Sequence, residues 1–304
     1  MSEGRRYYPG IHYSASKIFC IAAGLRYTAS MPKAPTVKWT REHALIALNL
    51  YGKLLFGQFH HNNPVVMDVA SRMGRSSSSL AMKLSNLASL DPVQRARGIK
   101  GLSRSSKQDR DIWKEFHSNI NDLGPESEQL LHDLFTKDNN REVDFLERDK
   151  VRLQPSLTPP SGPTERTALA RVRRGQQFFR QTVINSYGVC CCISGINVPR
   201  LLVASHIKPW RDFPKERLNP RNGLCLSTLH DAAFDAGLIT LDEKLCLVLG
   251  KRLKSYFPQP MLERSFVPFE GQEIQRPKKT AEPDPDFLRH HRDVIFRKRN
   301  HGRS

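Results

Sequence analysis

The chain has 304 residues, enough for two modest domains with cores of their own, and its 48 Lys and Arg against 30 Asp and Glu leave a net charge of +18. That surplus favours a polyanionic partner, of which nucleic acid is the simplest, and the longest early apolar run, residues 18–25, is too short to span a bilayer. Six cysteines, at 20, 190, 191, 192, 225 and 246, make neither paired CxxC motifs nor a disulfide framework. Reduced thiols in a cytoplasmic setting are therefore expected, without a four-cysteine zinc site.

Residues 1–37 read as a disordered extension or as an over-extended start, with Met31 opening the natural chain. From Thr40 a helical pattern begins, with Ala44, Ala47, Leu48, Tyr51, Leu54 and Leu55 at three- and four-residue steps, running to about residue 59. A polar connection, HHNN, precedes Pro64 at the first position of a helix that ends at Gly74. A serine among 77–79 caps the next helix, whose buried stripe is Leu80, Leu84 and Leu87 and whose stop is Asp91-Pro92.

Helix, glycine-containing turn and helix together make a helix-turn-helix candidate. Its outward residues would be Ser78, Ser79, Met82, Lys83 and Asn86, with Arg75 at the entrance, and most of these types can bond bases or phosphates. The window 72–110 carries nine basic residues against two acidic, a balance of +7, whereas 111–150 carries five against eleven. A DNA-facing surface followed by a solvent-facing one fits that asymmetry; a plain helical hairpin used as a spacer is the alternative. Residues 98–106 read as a basic loop, and helices over 109–123 and 126–135 complete an all-helical segment spanning 38–150.

Four prolines between 151 and 163 mark a semi-extended linker. Beyond it the pattern predicts a basic amphipathic helix over 167–187, with Leu169, Val172, Phe178, Phe179, Val183 and Ile184 inward and Arg171, Arg173, Arg174 and Arg180 outward. The chemistry is concentrated next. A short apolar run, 201–204, delivers His206; a polar loop leads to Asn222-Gly223; a second run, 224–226, follows; and His230 opens a helical pattern.

Strand, loop, strand and helix in that order can bring three polar side chains to one cleft. A histidine at a strand end can act as general base on water, an asparagine can tie down its loop, and a histidine in a first helical turn can hold a divalent ion. Lys208 and Arg211 in the loop are placed to touch phosphate. A strand over 245–249, a helix over 287–296 and a disordered basic tail would close the chain.

The motifs ASHIKPW, NPRNGLCL, LHDAAFD and GLI resemble the HNH endonuclease family, with its ββα-metal fold, and in particular its restriction-type branch. The resemblance covers roughly residues 164–304. It implies His206 as general base, Asn222 as the residue that fixes the loop, and His230 as metal ligand. Many members carry a carboxylate or histidine just before the base, where this chain has Ser205. Asp231 or Asp235 would then complete the metal sphere.

The expectation is an α+β protein: a helical, helix-turn-helix-like DNA-recognition domain at 38–150, a linker at 151–163, and an HNH nuclease domain at 164–304. The implied cofactor is a divalent metal ion, Mg²⁺ or Mn²⁺, with Ni²⁺ or Zn²⁺ admitted by an imidazole ligand. The implied partner is double-stranded DNA, plain or modified, with homodimerisation a route to double-strand breaks. A catalytically inactive DNA-binding regulator on the same fold, and a nuclease without sequence choice, are the alternatives.

Overall fold

The computed structural model describes residues 38–99, 105–138, 141–146, 150–155 and 166–301. The extension at 1–37, most of the 98–106 loop and the linker beyond 155 lie outside these residues. Helix α1 (Arg41–Lys53) starts where Thr40 Oγ1 accepts from the His43 amide. Residues 44–51 of α1 are all buried, so the helix is encircled and not merely amphipathic. Two polar side chains drawn into that core find their partners on one helix, α6 (Ile120–Phe135). Asn49 Nδ2 donates to Ser127 Oγ and Glu128 Oε2, and Lys53 pairs with Glu128 out of contact with solvent.

Asn63 caps α2 (Pro64–Arg72), and Gly74, at φ +65°, turns the chain behind it. Ser76, one residue earlier than the serines expected, caps α3 (Ser77–Leu90). Asp91-Pro92 ends α3 and also opens a short helix, α4 (Pro92–Ala96), because Asp91 Oδ1 caps the Val93 amide. The next break falls at Asn119, between α5 (Lys107–Ser118) and α6. Gly124-Pro125, which reads as a helix breaker, lies inside α6 and packs tightly on the next long helix, α7 (Arg166–Ser186): a Cβ on Gly124 would come within 3.2 Å of Phe178.

The segment 38–150 is not wholly helical. β1 (Arg141–Asp144) pairs antiparallel with β2 (Arg152–Pro155), which occupies the start of the expected linker. With one buried residue in β1, Val143, the pair shows no alternation that a sequence pattern could detect. Its anchor lies in α7, where Gln177 and Gln181 both donate to Val143 O.

Residues 38–304 form one compact unit, in which α7 packs on α1 and α6 on one side and on the strands that follow it on the other. Phe178, Phe179, Val183 and Ile184 are buried as expected, but Val172 is exposed. Two of the arginines expected on the outer face turn inward. Arg174 is buried on Gln129 and Gln177, and Arg180 donates to the Leu202 and Pro199 carbonyls.

β3 (Leu202–His206) and β4 (Gly223–Ser227) form an antiparallel pair in which His206 faces Gly223, and α8 (Thr228–Asp235) follows directly. A second pair, β5 (Ile239–Leu241) and β6 (Leu247–Leu249), leads to α9 (Lys251–Lys254), α10 (Pro260–Phe266) and α11 (Pro285–His290). A π-helical segment, His291–Phe296, continues into α12 (Arg297–His301). The basic tail is thus helical to residue 301, because Asn300 donates to Gly237 O and accepts from the Arg252 amide. Among the described residues no helix is long and apolar enough to cross a membrane.

Candidate active site

α7 lies directly against the β3–β4 pair. A Cβ on Gly223 would meet Val183 Cγ2 at 2.4 Å and Phe179 Cζ at 3.0 Å, so only glycine lets the helix approach this closely. His206, opposite Gly223, uses that proximity: its ring stacks on Phe179 at 3.9 Å between centroids, and Trp210 meets it edge-on at 5.4 Å.

His206 Nε2 lies 2.9 Å from the Arg217 carbonyl oxygen. A carbonyl only accepts, so Nε2 carries the proton and, in the neutral ring, Nδ1 holds the lone pair. Burial pushes the His206 pKa below its ordinary value, with the Arg217 carbonyl opposing. The side chain is therefore neutral near pH 7, which is the state a general base requires.

The Arg217 carbonyl is aimed by the loop that carries it. Asn222, 1 % exposed, accepts from the Lys208 amide (2.8 Å) and donates to the carbonyls of Lys208 (3.2 Å) and Glu216 (3.1 Å). Arg217 Nε donates to Trp210 O, its guanidinium lies over the Trp210 ring, and Asn219 bonds Glu216. Residues 207–222 are so cross-tied that the end of the loop turns back on the histidine at its start.

Ser227 caps α8. His230, 2 % exposed, is engaged at both ring nitrogens: Nε2 donates to Ser265 O (3.0 Å), and Nδ1 meets Ser227 Oγ (2.8 Å) and Cys191 Sγ (3.7 Å). Although burial opposes it, hydrogen bonding with His230 and with Ser194 brings the Cys191 thiol down to about 6. The His230 imidazole thus ties α8 to α10 and to the Cys191 turn. An ion could reach it only by displacing one of these bonds.

Asp231 and Asp235, one turn apart on α8, are different. Desolvation raises the Asp231 pKa, opposed by the Ser205 hydroxyl nearby. Asp235 is exposed at the surface, yet desolvation and then the Asp231 charge push it up to about 6. Neither forms an ion pair among the described residues, and two adjacent carboxylates without a cation suit a hard divalent ion. Among the described residues no three His, Cys, Asp or Glu side chains converge on one point. Asp231 and Asp235 would supply two ligands, leaving the rest to phosphate and water, as Mg²⁺ accepts.

Of the residues expected to touch DNA, Ser78 and Arg211 are exposed, and Ser79 and Asn86 half-buried along a cavity beside Trp39. Lys83 requires correction: it turns inward at 6 % exposure, paired with Asp109 and over the Trp39 ring. Asp109 holds its place through a capping box with Ser106, which gives the buried ammonium a fixed counter-charge. Arg75 also stacks on Trp39 and donates to Lys38 O, and Lys208 lies over Phe213 and Phe287.

Arg180, expected on the outer face of its helix, and Gln176, which no motif marks, line a cavity of about 250 Å³ at His206 together with Phe179, Val203, Ala204 and Trp210. Nor does any motif mark the Arg217 carbonyl, since backbone groups leave no trace in a sequence. Among curated proteins none matches the chain. A model of the HNH endonuclease family matches residues 191–242, which take in the whole β3–β4–α8 unit from Leu202 to Asp235.

Proposed function

We propose that the chain is a metal-dependent DNA endonuclease of restriction or genome-defence type. The observation that carries this reading is the His206 ring, held neutral with Nε2–H on the Arg217 carbonyl and Nδ1 left as the basic nitrogen. In the proposed step Nδ1 takes a proton from water as the oxygen attacks phosphorus, a contribution of about 10²–10⁴ in rate for a positioned base. Asn222 keeps the loop, and with it the Arg217 carbonyl, in register. Asp231 and Asp235 are the proposed metal ligands, and His230 positions α8 behind them. A divalent ion bound there supplies charge neutralisation at the phosphate and at the leaving 3′ oxygen.

Double-stranded DNA, plain or modified, is the proposed substrate, and pairing of two chains would turn nicks into double-strand breaks. Target choice is assigned to the helical part, through Ser78, Ser79 and Asn86 with Arg75, while Lys208 and Arg211 meet phosphate. Ser205, in place of a metal-ligating residue, favours the second reading, an inactive DNA-binding module.

Incubation of unmodified and modified plasmids with Mg²⁺, Mn²⁺, Ni²⁺ or Zn²⁺ separates the two readings. The endonuclease reading expects nicking that a chelator stops and that Asp231→Asn reduces. Binding without cutting in every metal would overturn it in favour of the inactive module.

A further inference from the structure

A second cleft adjoins the His206 cavity. It measures about 380 Å³ and lies between the β1–β2 pair, α7 and the turn before β3; Gln176 and Arg180 line both spaces. Arg180 is fixed at the junction, with Nη1 on Leu202 O (2.7 Å) and Nη2 on Pro199 O (3.2 Å).

The lining is mixed in a way that selects its occupant. Arg173 and Arg200 stand with Arg180, but Glu142 and Asp144 line the same cleft and would repel a bare anion. Leu146, Pro155 and Pro199 offer apolar faces. Gln181, 4 % exposed, spends its amide N–H on Val143 O (2.7 Å), while its Oε1 is buried without a hydrogen-bond partner among the described residues. Its neighbour Gln177 is satisfied at both ends, by Val143 O and by Arg174. An open buried acceptor costs free energy until a donor arrives.

We infer that this cleft is a nucleotide subsite, which receives one unpaired or extruded nucleotide of the strand that His206 addresses. The inference rests on the endonuclease reading. A base N–H bonds Gln181 Oε1, the base plane lies against the proline and leucine faces, and Arg173 and Arg200 meet the flanking phosphates. The volume falls within the usual range for small-ligand sites and admits a single nucleotide, not a duplex.

The test is binding of the full chain, in chelator so that no cutting occurs, to two labelled duplexes of one sequence, fully paired or with a single central mismatch. A mismatch lowers the cost of extrusion, so the mismatched duplex should bind about tenfold tighter. Exposed Gln176→Trp, which fills the passage between the two spaces, and near-isosteric Gln181→Met, which removes the acceptor, should both abolish that preference. Equal binding of the two duplexes by the unaltered chain, or a preference that survives both substitutions, would overturn the proposal. Plasmid cutting without a mismatch preference would sink the subsite and leave the nuclease standing; a preference sensitive to both substitutions, without cutting, would do the reverse.

Discussion

Replacement of Asn222 by alanine isolates the loop that aims the Arg217 carbonyl. The amide makes three hydrogen bonds, at 2.8, 3.1 and 3.2 Å, from a position 1 % exposed. At a net worth of about 1 kcal/mol each, their loss costs about 3 kcal/mol. At about 2.1 cal/mol/K of unfolding entropy per residue, that lowers the melting temperature of a protein of this size by about 5 °C if the unit unfolds cooperatively. Thermal unfolding followed by circular dichroism reads the global effect, and hydrogen exchange at the Lys208 amide reads the local one. Nicking activity should fall further than stability alone explains, because a relaxed loop no longer fixes the His206 tautomer. An unchanged melting temperature together with a still-protected Lys208 amide would refute the argument.

Two further outcomes depend on pH. Asp235 has a folded-state pKa raised to about 6, so the stability tied to its protonated form is present at low pH and is lost as pH rises through that value. Mn²⁺ should therefore raise the melting temperature more at pH 7.5 than at pH 5, and Asp235→Asn should shrink that difference; a Mn²⁺ effect independent of both would count against the paired-carboxylate site. Lys279 is buried over Tyr51 and Phe59 with Nζ on Leu54 O, and burial lowers its pKa to about 7. Its folded form binds fewer protons than the unfolded chain between about 7 and 10.5, so stability linked to it rises with pH across that window and Lys279→Met should gain most at pH 6. Equal melting shifts at pH 6 and pH 9 would show that the ammonium carries no such penalty.

The site was more legible than its surroundings because its side chains sit on short-range structure. The runs 201–204 and 224–226, with Asn222-Gly223 between them, mark a strand pair locally, and Ser227 just before His230 marks a helix start. What the sequence could not show depended on partners distant along the chain. His230 looked like a free ligand until Ser265 O, 35 residues on, took its Nε2. Lys83 looked like an outward cation until Asp109 and Trp39 closed over it. β1 and β2 escaped notice because α7, not their own alternation, holds Val143. Gly223 reads in the sequence only as the end of a polar loop, whereas its lack of a side chain is what admits Phe179 to the His206 ring.

The central claim is that His206 Nδ1 is the base, and single-turnover nicking of supercoiled plasmid by the intact chain and by His206→Ala tests it most directly. The account predicts a loss of about 10²–10⁴ in rate, and, in the unaltered chain, an acid limb set by a pKa below the ordinary histidine value of about 6.5. A variant that cuts within about threefold of the original rate, with the same acid limb, would contradict it, since no positioned base contributes so little.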